Sequence, residues 1–142
     1  MVGDGELRDQ VEEMIHKFDL DSSFLITGWV DNPTAYMKVM DVGCLLSRWE
    51  GFGLVLPEYM ACGVPIVATN VDAIPNIIHD GINGILVDKD NIQLIARVIE
   101  KIVINTEFRQ DVTKKELQIV AEKYDAKRVW NETNNMYQLL LG

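Results

Sequence analysis

Cysteine is scarce in this chain: Cys44 and Cys62 are the only two among 142 residues, and histidine is limited to His16 and His79. Two thiols make no disulfide framework, and neither histidine completes a metal-ligand spacing with them. Both cysteines have apolar sequence neighbours and are expected to be reduced core thiols. Long apolar runs are also absent. No stretch of about eighteen apolar residues occurs, and the N-terminus lacks the basic and apolar regions of a signal peptide, so a cytoplasmic protein without a transmembrane segment is expected. Positive charge is the remaining shortage, with 13 Lys and Arg against 22 Asp and Glu and a formal net charge of −9. Nucleic acid and anionic membrane surfaces would be repelled rather than steered in. The deficit is local. Residues 100–142 hold seven acids and seven bases, so the whole excess of negative charge lies in residues 1–99. The composition is otherwise that of an ordinary globular domain, with 48% apolar and 25% charged residues, and the length suffices to bury one core.

Four short runs of branched and apolar residues recur along the first ninety positions: Phe24–Thr27, Val42–Leu46, Pro65–Thr69 and Gly84–Val87. None alternates polar with apolar, the pattern expected of strands covered on both faces in a parallel sheet. Helical signals lie between them. Leu7, Val11, Met14, Ile15 and Phe18 form one amphipathic stripe, Thr34–Met40 predicts a short second helix, and Leu54–Cys62 a third that stops at Gly63. Asp90–Ile104, Glu107–Tyr124 and Asp125–Leu141 read as three further helices. The expected fold is α/β, a Rossmann-like three-layer parallel sheet with helices on both faces and a C-terminal helical tail. Gly3-Asp4-Gly5 is a turn signal of the kind that leaves a strand for a helix, yet only two residues precede it. A strand needs about five, so residues 1–142 are expected to form a single domain truncated at its N-terminal edge.

The segment that carries chemistry runs from Ser47 to Pro65. It combines a strand exit, the loop Glu50-Gly51-Phe52-Gly53 and a helix start at Leu54. Ligands of open α/β sheets bind beyond the carboxyl ends of the strands, and glycines before a helix let backbone N–H groups approach an anion. This arrangement suits a phosphate. Glu50 stands at the strand mouth and Glu58 about one turn into the helix; two carboxylates lining a cleft accept hydrogen bonds from sugar or ribose hydroxyls.

These residues resemble a family. The spacing from Glu50 to Glu58, with its context EGFGLVLPE and then MACGVP, is similar to the E-x7-E motif of the retaining glycosyltransferases of family 4, whose GT-B fold pairs two Rossmann-like domains. The resemblance extends to Val2-Gly3-Asp4-Gly5-Glu6-Leu7, Phe24–Val30, Ile66–Pro75 and Asp80-Gly81-Ile82-Asn83-Gly84, in the family's order. It implies a C-terminal, donor-binding domain that takes a nucleotide-diphosphate sugar. Glu50 would hold hydroxyls of the donor sugar and Glu58 the ribose. Backbone N–H groups of Gly51, Phe52, Gly53 and Leu54 would meet the phosphates, and Val55 would pack on the nucleoside. Gly28, Val30 and Thr34 would edge the nucleobase. The resemblance further implies retention of configuration, no metal or other cofactor, and a glycan or lipid-linked acceptor held through a missing N-terminal domain, which could attach the protein to the inner membrane. The isolated chain would then be inactive. Asp72, Ala73 and Asn76 stand where the family carries Gly-Gly and Glu, and the Arg and Lys that neutralise the diphosphate are expected on missing upstream segments, in keeping with the acidic charge of residues 1–99.

Other readings of the same residues are plainer. A different GT-B enzyme such as a sugar epimerase, or a non-catalytic nucleotide-binding or interaction domain, would share these features. Trp29 and Trp49 are expected to pack in the core or a cleft wall, Arg48 to form an ordinary ion pair, and His16 and His79 to be structural. Tyr36, Met37 and Met40 read as core, and Asp9, Glu12 and Glu13 as a solvated helix face.

Overall fold

A computed structural model describes residues 1–141 of the chain. They form two compact units that divide between Tyr36 and Met37. The first holds helix α1 (Arg8–Lys17), and helix α2 (Pro33–Met37) contains the division between the units. The second unit runs β1 (Gly43–Leu45), α3 (Val55–Cys62), β2 (Ile66–Thr69), a 3-10 turn at Ile74–Asn76, β3 (Ile85–Val87), α4 (Ile92–Ile104), α5 (Thr106–Lys123) and α6 (Ala126–Leu141).

The three strands pair in parallel in the order β1-β2-β3, with Gly43 opposite Ile66 and Val67 opposite Ile85. Central β2 is fully buried because both of its faces are covered. Ile66 and Ala68 join Leu56, Tyr59 and Met60 of α3 in one core, with Ile119 and Val120 of α5 packed against it. Val67 joins Val87 and Ile102 in a second core on the other face, supported by Val98 and Ile99 of α4. Helices on both faces of a parallel sheet bear out the expected α/β layering.

Local chemistry sets the boundaries. Gly63 ends α3 in the left-handed region at φ 67°, its N–H donating to Met60 O and that of Val64 to Tyr59 O, a Schellman stop. Asn91 and Asn105 cap α4 and α5 by accepting from Leu94 N and Phe108 N. Asn83 is fully buried and satisfied at both ends, donating to Ile77 O and accepting from His79 N, so the Asp80–Gly84 turn serves to fold the chain back into β3. Gly43 carries no side chain because the Tyr59 ring occupies the space: a Cβ there would lie 2.9 Å from it.

Five expectations fail, one of them that Tyr36 is core with Met37 and Met40: Met37 is buried and Met40 partly so, but Tyr36 is 38% exposed. The run Phe24–Thr27 is no sheet strand. Among the described residues its backbone bonds are isolated ones, Phe24 N to Leu20 O, Thr27 N to Met1 O and the Met1 ammonium to Leu25 O, followed by a single antiparallel bridge between Gly3 and the adjoining Gly28, and Leu25 stays 68% exposed. Cys44 is exposed, since β1 is an edge strand with only one flank paired; Cys62 is partly buried as expected. Trp29 and Trp49 lie on loops and are 83% and 80% exposed rather than packed. Arg48 is exposed and, among the described residues, makes no ion pair. The plainer readings of the first helix hold: Asp9, Glu12 and Glu13 are exposed, and Glu12 pairs with Arg8 at 2.8 Å.

Candidate functional site

The carboxyl ends of β1 and β2 release two loops on one side of the sheet, and every charged candidate of the second unit lies on or just beyond them. From Leu45 the chain passes through Ser47 and Glu50 to Gly53 and enters α3 at Val55. Gly53 makes this passage possible. Its φ is 79°, and a Cβ there would stand 3.1 Å from Leu56, 3.2 Å from Leu45 and 3.4 Å from the Glu50 Cγ, so only glycine lets the loop sit this close to the strand. The Leu56 N–H closes a turn onto Gly53 O at 2.9 Å.

Across this loop the backbone donors are free. Among the described residues, no protein acceptor takes the N–H groups of Gly51, Phe52, Gly53, Leu54 or Val55. Such a run at a helix start, with the dipole's positive end behind it, favours an anion. α3 has eight residues and no acidic or polar side chain capping its N-terminus. Its Leu56, Tyr59 and Met60 are buried, Val55 is partly buried, and Glu58, in the first turn, is exposed.

Glu50 is held from two sides. Its Oε2 accepts from Ser47 Oγ at 3.2 Å, and its own N–H donates to Asp72 Oδ2 at 2.9 Å. Ser47 is itself tied down, its carbonyl accepting from the Oγ1 of fully buried Thr69 at 2.6 Å. Neither tether was read from the sequence, where Asp72 stood out only as a departure from the family's Gly-Gly. Thr69 passed as a strand end; the signal for Asp72 was that it follows a strand and belongs to the residue types that tolerate left-handed backbone, where it lies at φ 44°.

The other candidates belong to the first unit. Gly28, at φ 68°, is buried against Arg8 and Asp4, which pair at 2.9 Å. The Gly5 N–H and then the Arg8 guanidinium hold the Asp4 carboxyl below its usual pKa. Val30 lines a hollow of about 440 Å³ with Val2, Gly3, Trp29, Asp31 and Pro33, while Thr34 is exposed on α2. Glu50, Gly51, Phe52, Gly53, Leu54, Val55 and Glu58 are thus grouped on one loop and helix, and Gly28, Val30 and Thr34 lie within the other unit. Among the described residues no group of three or more His, Cys, Asp or Glu could hold a metal ion.

Residues 1–118 match the family described as Glycosyl transferases group 1. The chain belongs to this family. As a group 1 glycosyltransferase domain it is 28% identical over 137 residues to N-acetyl-alpha-D-glucosaminyl L-malate synthase of Bacillus anthracis, covering 96% of this chain and 36% of that protein. It is 26% identical over 142 residues to the capsular polysaccharide biosynthesis glycosyltransferase CapM of Staphylococcus aureus, covering 99% of this chain and 37% of CapM. Its fold matches the crystal structure of Anabaena Alr3699/HepE in complex with UDP-glucose with a TM-score of 0.89, at 22% identity, over 96% of this chain and 39% of that one. The glycosyltransferase domain therefore has the fold of one Rossmann-like half of a GT-B protein and spans little more than a third of the length of these curated relatives. No described helix is long and apolar enough to cross a membrane.

Proposed function

We propose that residues 1–142 are the C-terminal, donor-binding part of a retaining family 4 glycosyltransferase that moves a sugar from a nucleotide-diphosphate sugar to a glycan or lipid-linked acceptor. The run of free N–H groups from Gly51 to Val55, flanked by Glu50 and Glu58, carries this reading. The diphosphate lies over the amides at the start of α3, Glu50 accepts from sugar hydroxyls, and Glu58 accepts from the ribose. Val55 packs against the nucleoside. A helix start supplies only about half a unit of positive charge, so cationic side chains outside this acidic stretch complete the neutralisation. Neither glutamate is a nucleophile; the departing phosphate oxygen assists the incoming hydroxyl, and no metal takes part. The acceptor is held by the part of the protein that the relatives possess beyond this stretch, which places catalysis in the longer polypeptide. Relatives that make capsular polysaccharide support cell-surface polysaccharide assembly at the cytoplasmic side of the membrane as the setting.

Titration calorimetry with uridine, guanosine and adenosine diphosphates tests the donor site. One of them is expected to bind the longer polypeptide saturably and undiminished by EDTA, whereas no heat from any of the three, even with the longer polypeptide, would favour a non-catalytic interaction domain.

A further inference from the structure

Asp72 occupies a backbone conformation that works against it. At φ 44° it lies in the left-handed region, where an L side chain is strained and glycine would not be. Its carboxylate also adds negative charge beside a loop whose free N–H groups suit an anion. Backbone strain of this kind persists only where the surroundings impose it. What Asp72 supplies in return is an acceptor, its Oδ2 taking the Glu50 N–H at 2.9 Å. Thr69 makes a parallel tether, its Oγ1 donating to Ser47 O at 2.6 Å. The segment from Ser47 to Glu50 is thereby fastened at both ends to residues at or just past the end of β2, and the Glu50 side chain leans back on Ser47 Oγ.

We propose that Asp72 is a positioning residue: by accepting the Glu50 N–H it fixes the Glu50 backbone, and with it the carboxylate that meets the donor sugar. The proposal rests on the donor-site reading of Glu50. Two variants separate acceptor from conformation. Asp72→Gly keeps the left-handed backbone and removes the acceptor, while Asp72→Asn keeps a side-chain oxygen and tolerates the same φ. Nuclear magnetic resonance of the 142-residue chain reads hydrogen exchange at the Glu50 amide, and calorimetry compares UDP-glucose with UDP. Asp72→Gly is expected to retain the fold, to speed exchange at the Glu50 amide, and to weaken UDP-glucose about tenfold, the equivalent of about 1.4 kcal/mol, while UDP affinity stays close to that of the unaltered chain because the amides of Gly51–Val55 remain. Asp72→Asn is expected to recover most of both losses. Unchanged exchange and unchanged UDP-glucose affinity in Asp72→Gly would overturn the proposal. Where the unaltered chain takes neither UDP nor UDP-glucose, the donor-site reading passes to the guanosine and adenosine diphosphates, and exchange at the Glu50 amide decides alone, faster exchange in Asp72→Gly upholding the tether and unchanged exchange refuting it.

Discussion

Raising the pH from about 5 to about 8 is expected to destabilise the second unit steadily, and Glu116→Gln is expected to abolish that dependence. Glu116 lies on α5 with no exposed surface, and among the described residues neither of its carboxyl oxygens has a hydrogen-bond partner. Burial pushes its pKa up from 4.5 to about 8, the nearby Ile66 N–H pulling the other way. Between those two values the folded protein keeps a proton that the unfolded chain has released, so stability falls as pH rises and levels off above the folded pKa. One unit of pH is worth about 1.4 kcal/mol, and the window gives a total loss on the order of 4 kcal/mol, a large share of a small domain's stability. Asp4, whose carboxyl is shifted down by the Gly5 N–H and Arg8, acts in the opposite sense and below this window. Urea unfolding of both proteins at four pH values across the range is the measurement. Parallel curves for Glu116→Gln and the unaltered chain would show that Glu116 is already charged in the fold.

The second large effect concerns Glu58. Glu58→Ala is expected to weaken binding of the nucleotide sugar by about tenfold to a hundredfold, the loss of one hydrogen bond to a charged acceptor at about 1.5–3 kcal/mol. The melting temperature should hardly move, because Glu58 is exposed and none of the core contacts of α3 pass through it. Glu58→Gln, which keeps one acceptor oxygen, should fall between the two. Calorimetry beside thermal unfolding separates these effects; equal affinities in all three proteins would remove Glu58 from the ribose site.

Much of this was legible from sequence. The uninterrupted apolar runs at Ile66–Thr69 and Ile85–Val87 announced buried parallel strands, and Gly63 and Asn105 marked helix ends, because period and capping are local properties. The Glu50–Glu58 loop was legible because glycine spacing and carboxylates at a strand exit are local as well. What escaped depends on contacts distant in sequence. Phe24–Thr27 has strand-like composition but joins no sheet, the one bridge nearby being that of Gly28 with Gly3, and composition does not reveal a missing partner. Cys44 sits in an apolar run yet on an unpaired edge. Asp72 matters through an amide twenty-two positions earlier. Glu116 did leave a trace, since it falls on the helical stripe of Val112, Ile119 and Val120 that faces the core, but charge argued for the surface.

The central claim is that the loop entering α3 receives the diphosphate of a nucleotide sugar. Amide chemical shifts of the chain, followed while uridine, guanosine and adenosine diphosphates are added in turn, test it most directly. The account predicts saturable shifts concentrated at Gly51, Phe52, Gly53, Leu54 and Val55. Saturable binding that leaves these five amides unmoved and shifts residues elsewhere would contradict it.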